Sequence, residues 1–166
     1  ARSLRAAVEA DDAAELRRLL QKDAAHVDAL SGKNELAALH VAAIKNREEC
    51  ARALLEAGAD ARVRDEYSVQ PAHYAASAGA VAVLRLLADA GADLLVLDNL
   101  RRSPLECAVR YGRTAAVELL LARGVDVGAR NKHGGTSLHQ AADSGDAALA
   151  GLLLAHGASP SAATAL

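Results

Sequence analysis

The sequence predicts an all-α solenoid of stacked helix–turn–helix repeats, and three observations predict it. Tetrads ending at His40, His73, Glu106 and His139 recur every 33 residues. Ala42, Ala75, Ala108 and Ala141, then Leu54, Leu87, Leu120 and Leu153, then Gly58, Gly91, Gly124 and Gly157 keep the same step. The apolar residues are chiefly Ala, Leu and Val, with 3 Tyr and no Phe, Trp or Met. A fixed period in several phases at once marks a repeat array. A core of small side chains suits thin layers that approach closely better than a wide interior.

In the first repeat, Ala7, Leu19, Leu20 and Asp23 correspond to Ala42, Leu54, Leu55 and Gly58 at a step of 35, which places two extra residues between Asp23 and Ala42. In the second, the tetrad Ala37-Ala38-Leu39-His40 opens the first helix, Asn46 ends it, and Gly58 ends the second helix. Asn is the residue after glycine that best tolerates the left-handed conformation of such an end. In the third, Pro71 sits in the first turn, where its missing N–H costs nothing, and Gly79 and Gly91 close the two helices. The fourth uses Ser103 as N-cap before Pro104, with Gly112 and Gly124 as stops, and the fifth uses Thr136, Gly145 and Gly157 in the same roles. Repeat limits of about 1–33, 34–66, 67–99, 100–132 and 133–166 follow, within a single domain. The first repeat, with Arg2, Arg5, Glu9, Asp11, Asp12, Glu15, Arg17 and Arg18, reads as a solvated cap. The last, apolar from Ala147 to Ala155, does not, and a segment of a longer protein is expected.

Composition excludes several function classes. The apolar stretch from Val81 to Leu97 is broken by Arg85, Asp89 and Asp93, so no membrane insertion is expected. A net charge of −2 gives no general attraction to nucleic acid. Cys50 and Cys107 lack zinc-ligand spacing and are too few for a disulfide framework, so reduced thiols and an intracellular setting, cytoplasmic or nuclear, are expected. There is no phosphate loop, no Gly-x-Ser-x-Gly and no His-Glu-x-x-His, and no catalytic, cofactor or metal residue is assigned.

The tetrads, the 33-residue step and the Gly-Ala-Asp runs at 58–60 and 91–93 resemble the ankyrin-repeat family, whose signature is Thr-Pro-Leu-His-x-Ala. The resemblance spans the whole chain. It implies β-turn fingers between helix pairs and a structural role for His40, His73 and His139, each bonding local backbone and tying one loop to the next repeat, with Glu106 a departure. It also implies a finger glycine five residues before the histidine position, which is Gly134 in the last repeat but Glu35, Ser68 and Arg101 in the others, so adapted turns are expected there. A small ankyrin family that inhibits cell-cycle kinases has a shortened first helix in its second repeat; Ala38 to Asn46 keep the ordinary pattern, which argues against that role.

The same resemblance places partner binding on the finger tips and the concave face of the first helices. The residues of this sequence that fall there and carry apolar, aromatic or basic character are Leu36, Ile44, Lys45, Tyr67, Val69, Leu100, Arg102, Arg110 and Tyr111. Tyr and Arg are common interface anchors, and Leu36, Ile44, Val69 and Leu100 are expected to add exposed apolar surface. Lys33, Lys45, Arg102, Arg110 and Lys132 oppose Glu66 and Asp143, so the groove is expected to be positive and its partner to present an acidic or mixed acidic and apolar surface. The expected function is that of a non-catalytic module, monomeric in isolation, that binds a partner peptide or domain through this groove. The alternative is a structural or autoinhibitory segment packed against another domain of a longer chain.

Overall fold

The computed structural model describes residues 3–32 and 36–161. Within them the chain forms ten helices in five antiparallel pairs. They are α1 (Leu4–Glu9) and α2 (Ala13–Lys22), α3 (Ala38–Ile44) and α4 (Glu48–Glu56), α5 (Pro71–Ala78) and α6 (Val81–Asp89), α7 (Pro104–Arg110) and α8 (Thr114–Ala122), and α9 (Ser137–Asp143) and α10 (Ala147–Ala155). The first helices pack in series, α1 on α3, α3 on α5, α5 on α7 and α7 on α9. The second helices form a parallel row in which α2 meets α4, α4 meets α6 and α6 meets α8. The architecture is therefore the helical repeat stack that the period predicts.

The in-phase residues are its core. Ala42, Ala75, Ala108 and Ala141 and the leucines at 54, 87, 120 and 153 are all fully buried. An alanine ladder lets the first helices approach, and the leucines fill the space behind them. Cys50 and Cys107 are buried, unbridged and in different layers. Burial pushes the Cys107 thiol up to about 11, so it is a packing residue and not a thiolate.

Side chains satisfy the helix starts in two ways. Asp12 Oδ1 accepts from Glu15 N–H at 2.9 Å, Ser103 Oγ from Glu106 N–H at 3.2 Å, and Asp146 Oδ1 from Leu149 N–H at 3.0 Å. In α3, α5 and α9 the histidine does the work: the N–H of Ala37, Gln70 and Thr136 each donates to Nδ1 of His40, His73 and His139 at 3.1 Å. The Thr136 hydroxyl also meets that ring nitrogen, at 2.9 Å, instead of serving the helix backbone. Helix ends follow the sequence, with Gly79, Gly112 and Gly145 at φ +70°, +64° and +70° and Asn46 at +53°.

The finger turns do not follow it. Ser68 and Arg101 keep positive φ, +60° and +58°, close to the +78° of Gly134, so the turns are not adapted to their side chains. The third and fourth fingers each close on a main-chain bond and an aspartate that clamps the turn. Each non-glycine residue there holds strain of about 1 kcal/mol. Glu35, at the corresponding place in the second repeat, and Lys33 lie outside the described residues.

Candidate functional site

The concave side is built from fingers tied to helices. In the third and fourth fingers, Asp65 Oδ1 accepts from the N–H of Tyr67 and Val69, and Asp98 Oδ1 from the N–H of Leu100 and Arg102, all at 2.9 Å. Asn131 Oδ1 serves His133 and Gly135 in the fifth, at 2.9 and 3.1 Å. Successive fingers are laced together by Asn99 N–H donating to the Tyr67 carbonyl and Lys132 N–H to the Leu100 carbonyl, both at 3.1 Å. Since Nδ1 of His40 and His73 accepts a backbone proton, each neutral ring carries its own proton on Nε2. That nitrogen donates into the next repeat, to the Val69 carbonyl from His40 and the Arg102 carbonyl from His73, both at 3.1 Å. The tie that the resemblance implies is thus present at two junctions. Burial holds both imidazoles below their ordinary pKa, which keeps the accepting lone pair available.

Glu106 replaces histidine at the next junction, and its partner changes with it. Asn131 Nδ2 donates to Glu106 Oε1 at 2.8 Å. The third and fourth fingers carry Asp65 and Asp98 at the place of Asn131. An ionised carboxylate there would offer the Glu106 carboxylate no N–H donor and would repel it. The amide supplies the donor that an aspartate lacks, so the departure from histidine is compensated one repeat later. Burial still pushes the Glu106 carboxyl above its usual range, and the Asn131 bond opposes the shift.

Six of the nine groove residues expected from the sequence come together. Tyr67, Val69, Leu100, Arg102, Arg110 and Tyr111 line one cavity of about 330 Å³ between the third and fourth repeats. Its mouth is aromatic, since Tyr67 and Tyr111 are 47% and 57% exposed. Leu100 is half-buried behind them. The floor adds His73, Tyr74, Ser77 and Cys107, and the rim adds Asp98 and Asn99.

Two expectations are corrected, the exposure of Leu36 and Val69 and the free charge of Arg102. Leu36 and Val69 are both buried and add no exposed apolar surface. Leu36 exchanges two main-chain bonds with Ser31, and both backbone groups of Val69 are engaged, so these positions are finger stems that pack inward. Arg102 is not a free cation: its guanidinium is held by Asp98 Oδ2, with Nη2 at 2.6 Å and Nε at 2.8 Å, and the Asp98 side chain is almost wholly buried. Ile44 and Lys45 are exposed in the second repeat but do not line the cavity. Among the described residues, Arg110 is the cavity's cation that forms no direct ion pair, although its charge acts on the buried Glu106 carboxyl and favours the ionised form.

Tyr74 serves the scaffold. Its hydroxyl donates to Asp65 Oδ2 at 2.7 Å and its ring meets His40 edge-on at 5.8 Å. Asp98 is the residue that sequence reasoning missed, although its 33-residue spacing from Asp65 and Asn131 was available to find it. No cluster of His, Cys, Asp or Glu among the described residues could hold a metal ion. None of the described helices is long and apolar enough to cross a membrane.

A model of the family described as ankyrin repeats in 3 copies matches residues 4–98 and again 73–164. No curated protein matches the chain.

Proposed function

The chain belongs to the ankyrin-repeat family, whose domains generally bind other proteins and are generally non-catalytic, and from that premise we propose that its concave face binds a segment of a partner protein at the third and fourth repeats. One observation carries the reading: two exposed tyrosines flank a cavity in which Arg102 is held by Asp98 and Arg110 is, among the described residues, the cation in no direct ion pair. An apolar side chain of the partner enters between Tyr67, Leu100 and Tyr111. An acidic group beside it meets Arg110. Arg102 contributes its paired, flat guanidinium as a wall and not as a second free charge, so one acidic group suffices. The partner is a protein or peptide, the chain works as one binding domain, and no reaction is catalysed.

The test is capture of partners by the wild-type chain and by Tyr111→Ala side by side, followed by titration of the captured protein. Loss of an interface anchor should weaken binding by about 2 kcal/mol or more, roughly 30-fold, without unfolding the stack, because Tyr111 packs against no ladder. Arg110→Glu should slow association and remove its salt dependence. A captured partner that binds wild type and both variants alike, at any salt, moves the binding surface away from the concave face.

A further inference from the structure

We infer that the outward face of α9 and α10 is a docking surface for one further helix–turn–helix layer of the same kind, set in phase with the five described. The inference rests on position-by-position comparison with the three interior interfaces, and it is independent of the concave cavity.

At each interior junction the same positions of one repeat are covered by its successor. Leu39, Ala72 and Leu105 are at most 1% exposed, as are Ala43, Ala76 and Val109. Their counterparts in the fifth repeat, Leu138 and Ala142, are half-buried and exposed. Ala51, Leu84 and Val117 are fully buried, whereas Ala150 is half-buried. At a further position the interior residues Leu55 and Ala88 are half-buried and Leu121 is 7% exposed, whereas their counterpart Leu154 is 44% exposed. A terminal layer that ends a stack replaces such positions with polar residues, because water meets them. Here every one of them keeps the apolar residue type of the interior, and α10 contains no charged residue at all. The opposite end differs, since the first repeat turns Glu9, Arg17, Arg18 and Lys22 to solvent.

A second, polar observation specifies the occupant. His139 accepts the Thr136 N–H on Nδ1 as His40 and His73 accept theirs, so its proton also resides on Nε2. In those two the Nε2 proton is given to a main-chain carbonyl 29 residues ahead, in the finger of the next layer. Among the described residues nothing accepts from His139 Nε2. The face therefore presents an apolar surface with a donor at its edge, the form in which each interior repeat receives its neighbour. A second copy of this chain would bring either a charged first repeat or another apolar face with no carbonyl at that edge.

The experiment extends the 166-residue chain in phase by a copy of its own residues 101–133, so that the copied Arg102 carbonyl falls 29 residues after His139. Expected are a higher urea midpoint, the ellipticity of two further helices, and a third slowly exchanging imidazole Nε2 proton beside those of His40 and His73. Ala142→Glu with Leu154→Glu should leave the midpoint of the 166-residue chain unchanged and abolish all three gains in the extended one. Three results overturn the inference: an extension that adds no helix, glutamates that destabilise the 166-residue chain itself, or a 166-residue chain that sediments as a dimer and becomes monomeric with Leu154→Glu.

Discussion

Replacing Asn131 by Asp restores the residue type that the third and fourth fingers carry, and it should nevertheless be among the most damaging single changes outside the leucine ladder. Asn131 Nδ2 lies 2.8 Å from Glu106 Oε1, and Glu106 is only 3% exposed. Two carboxylates at that separation would repel by roughly 6 kcal/mol at an effective dielectric near 20. The pair escapes by keeping one proton. Holding a carboxyl protonated at neutral pH, some two units above its ordinary range, costs about 3 kcal/mol, and the bond the proton makes returns part of it. A loss of about 2–3 kcal/mol relative to wild type is expected at pH 7. The sign of its pH dependence is fixed. The folded pair has a raised upper pKa, so stability is recovered as the pH falls through it, and the deficit should shrink to under about 1 kcal/mol near pH 5. Urea denaturation followed by circular dichroism at both pH values measures the effect. Adding Glu106→His recreates the His73–Asp98 combination of the preceding junction and should recover most of the loss, giving a favourable coupling of about 1–3 kcal/mol in the double-mutant cycle. A deficit below about 0.5 kcal/mol, or one equal at both pH values, would refute the compensation argument.

Leu120→Ala removes a fully buried side chain between layers and should cost about 2–5 kcal/mol in the same assay. Arg101→Gly relieves a residue held at φ +58° and should raise stability by about 0.5–1 kcal/mol, while Gly134→Ala, at +78°, should lower it by a similar amount. His40 and His73 titrate below the ordinary imidazole value, chiefly because burial disfavours their charge. The unfolded chain therefore takes up protons first, so their contribution is complete above about pH 6.5 and declines as the pH falls toward the folded-state values. Urea midpoints at pH 7.5 and 5.5 should show that decline, and His40→Gln with His73→Gln should flatten it.

Most of the fold was legible because repeats repeat. The 33-residue step located α3 to α10, and the glycines and Asn46 at helix ends marked the positions that the structure finds at positive φ. The groove was legible only in outline. Tyr67 and Tyr111 are exposed as their places in the period suggest, but whether an apolar finger residue points outward depends on main-chain bonding. Leu36 and Val69 are drawn inward by bonds that composition does not reveal. The charge on Arg102 is cancelled across the turn by Asp98, four residues before it, a pairing that depends on the finger folding back on itself. Glu106 looked like an isolated departure because its partner lies 25 residues further on, at a position where the other fingers have aspartate.

The lacing between layers has a mechanical consequence. Each histidine tie and each finger-to-finger bond reaches one layer ahead, so the array behaves as a chain of short springs in series, each with its own stiffness. The seam between the third and fourth layers carries the His73 tie and the Asn99–Tyr67 bond. The seam between the fourth and fifth carries the equivalent Lys132–Leu100 bond and a side-chain contact in place of the histidine tie. Under load or heating the fifth layer should peel first, with amide protons of α9 and α10 exchanging before those of α5 and α7. The cavity between Tyr67 and Tyr111 straddles the stiffer seam, so a ligand seated there finds its walls already at rest and spends little on ordering them.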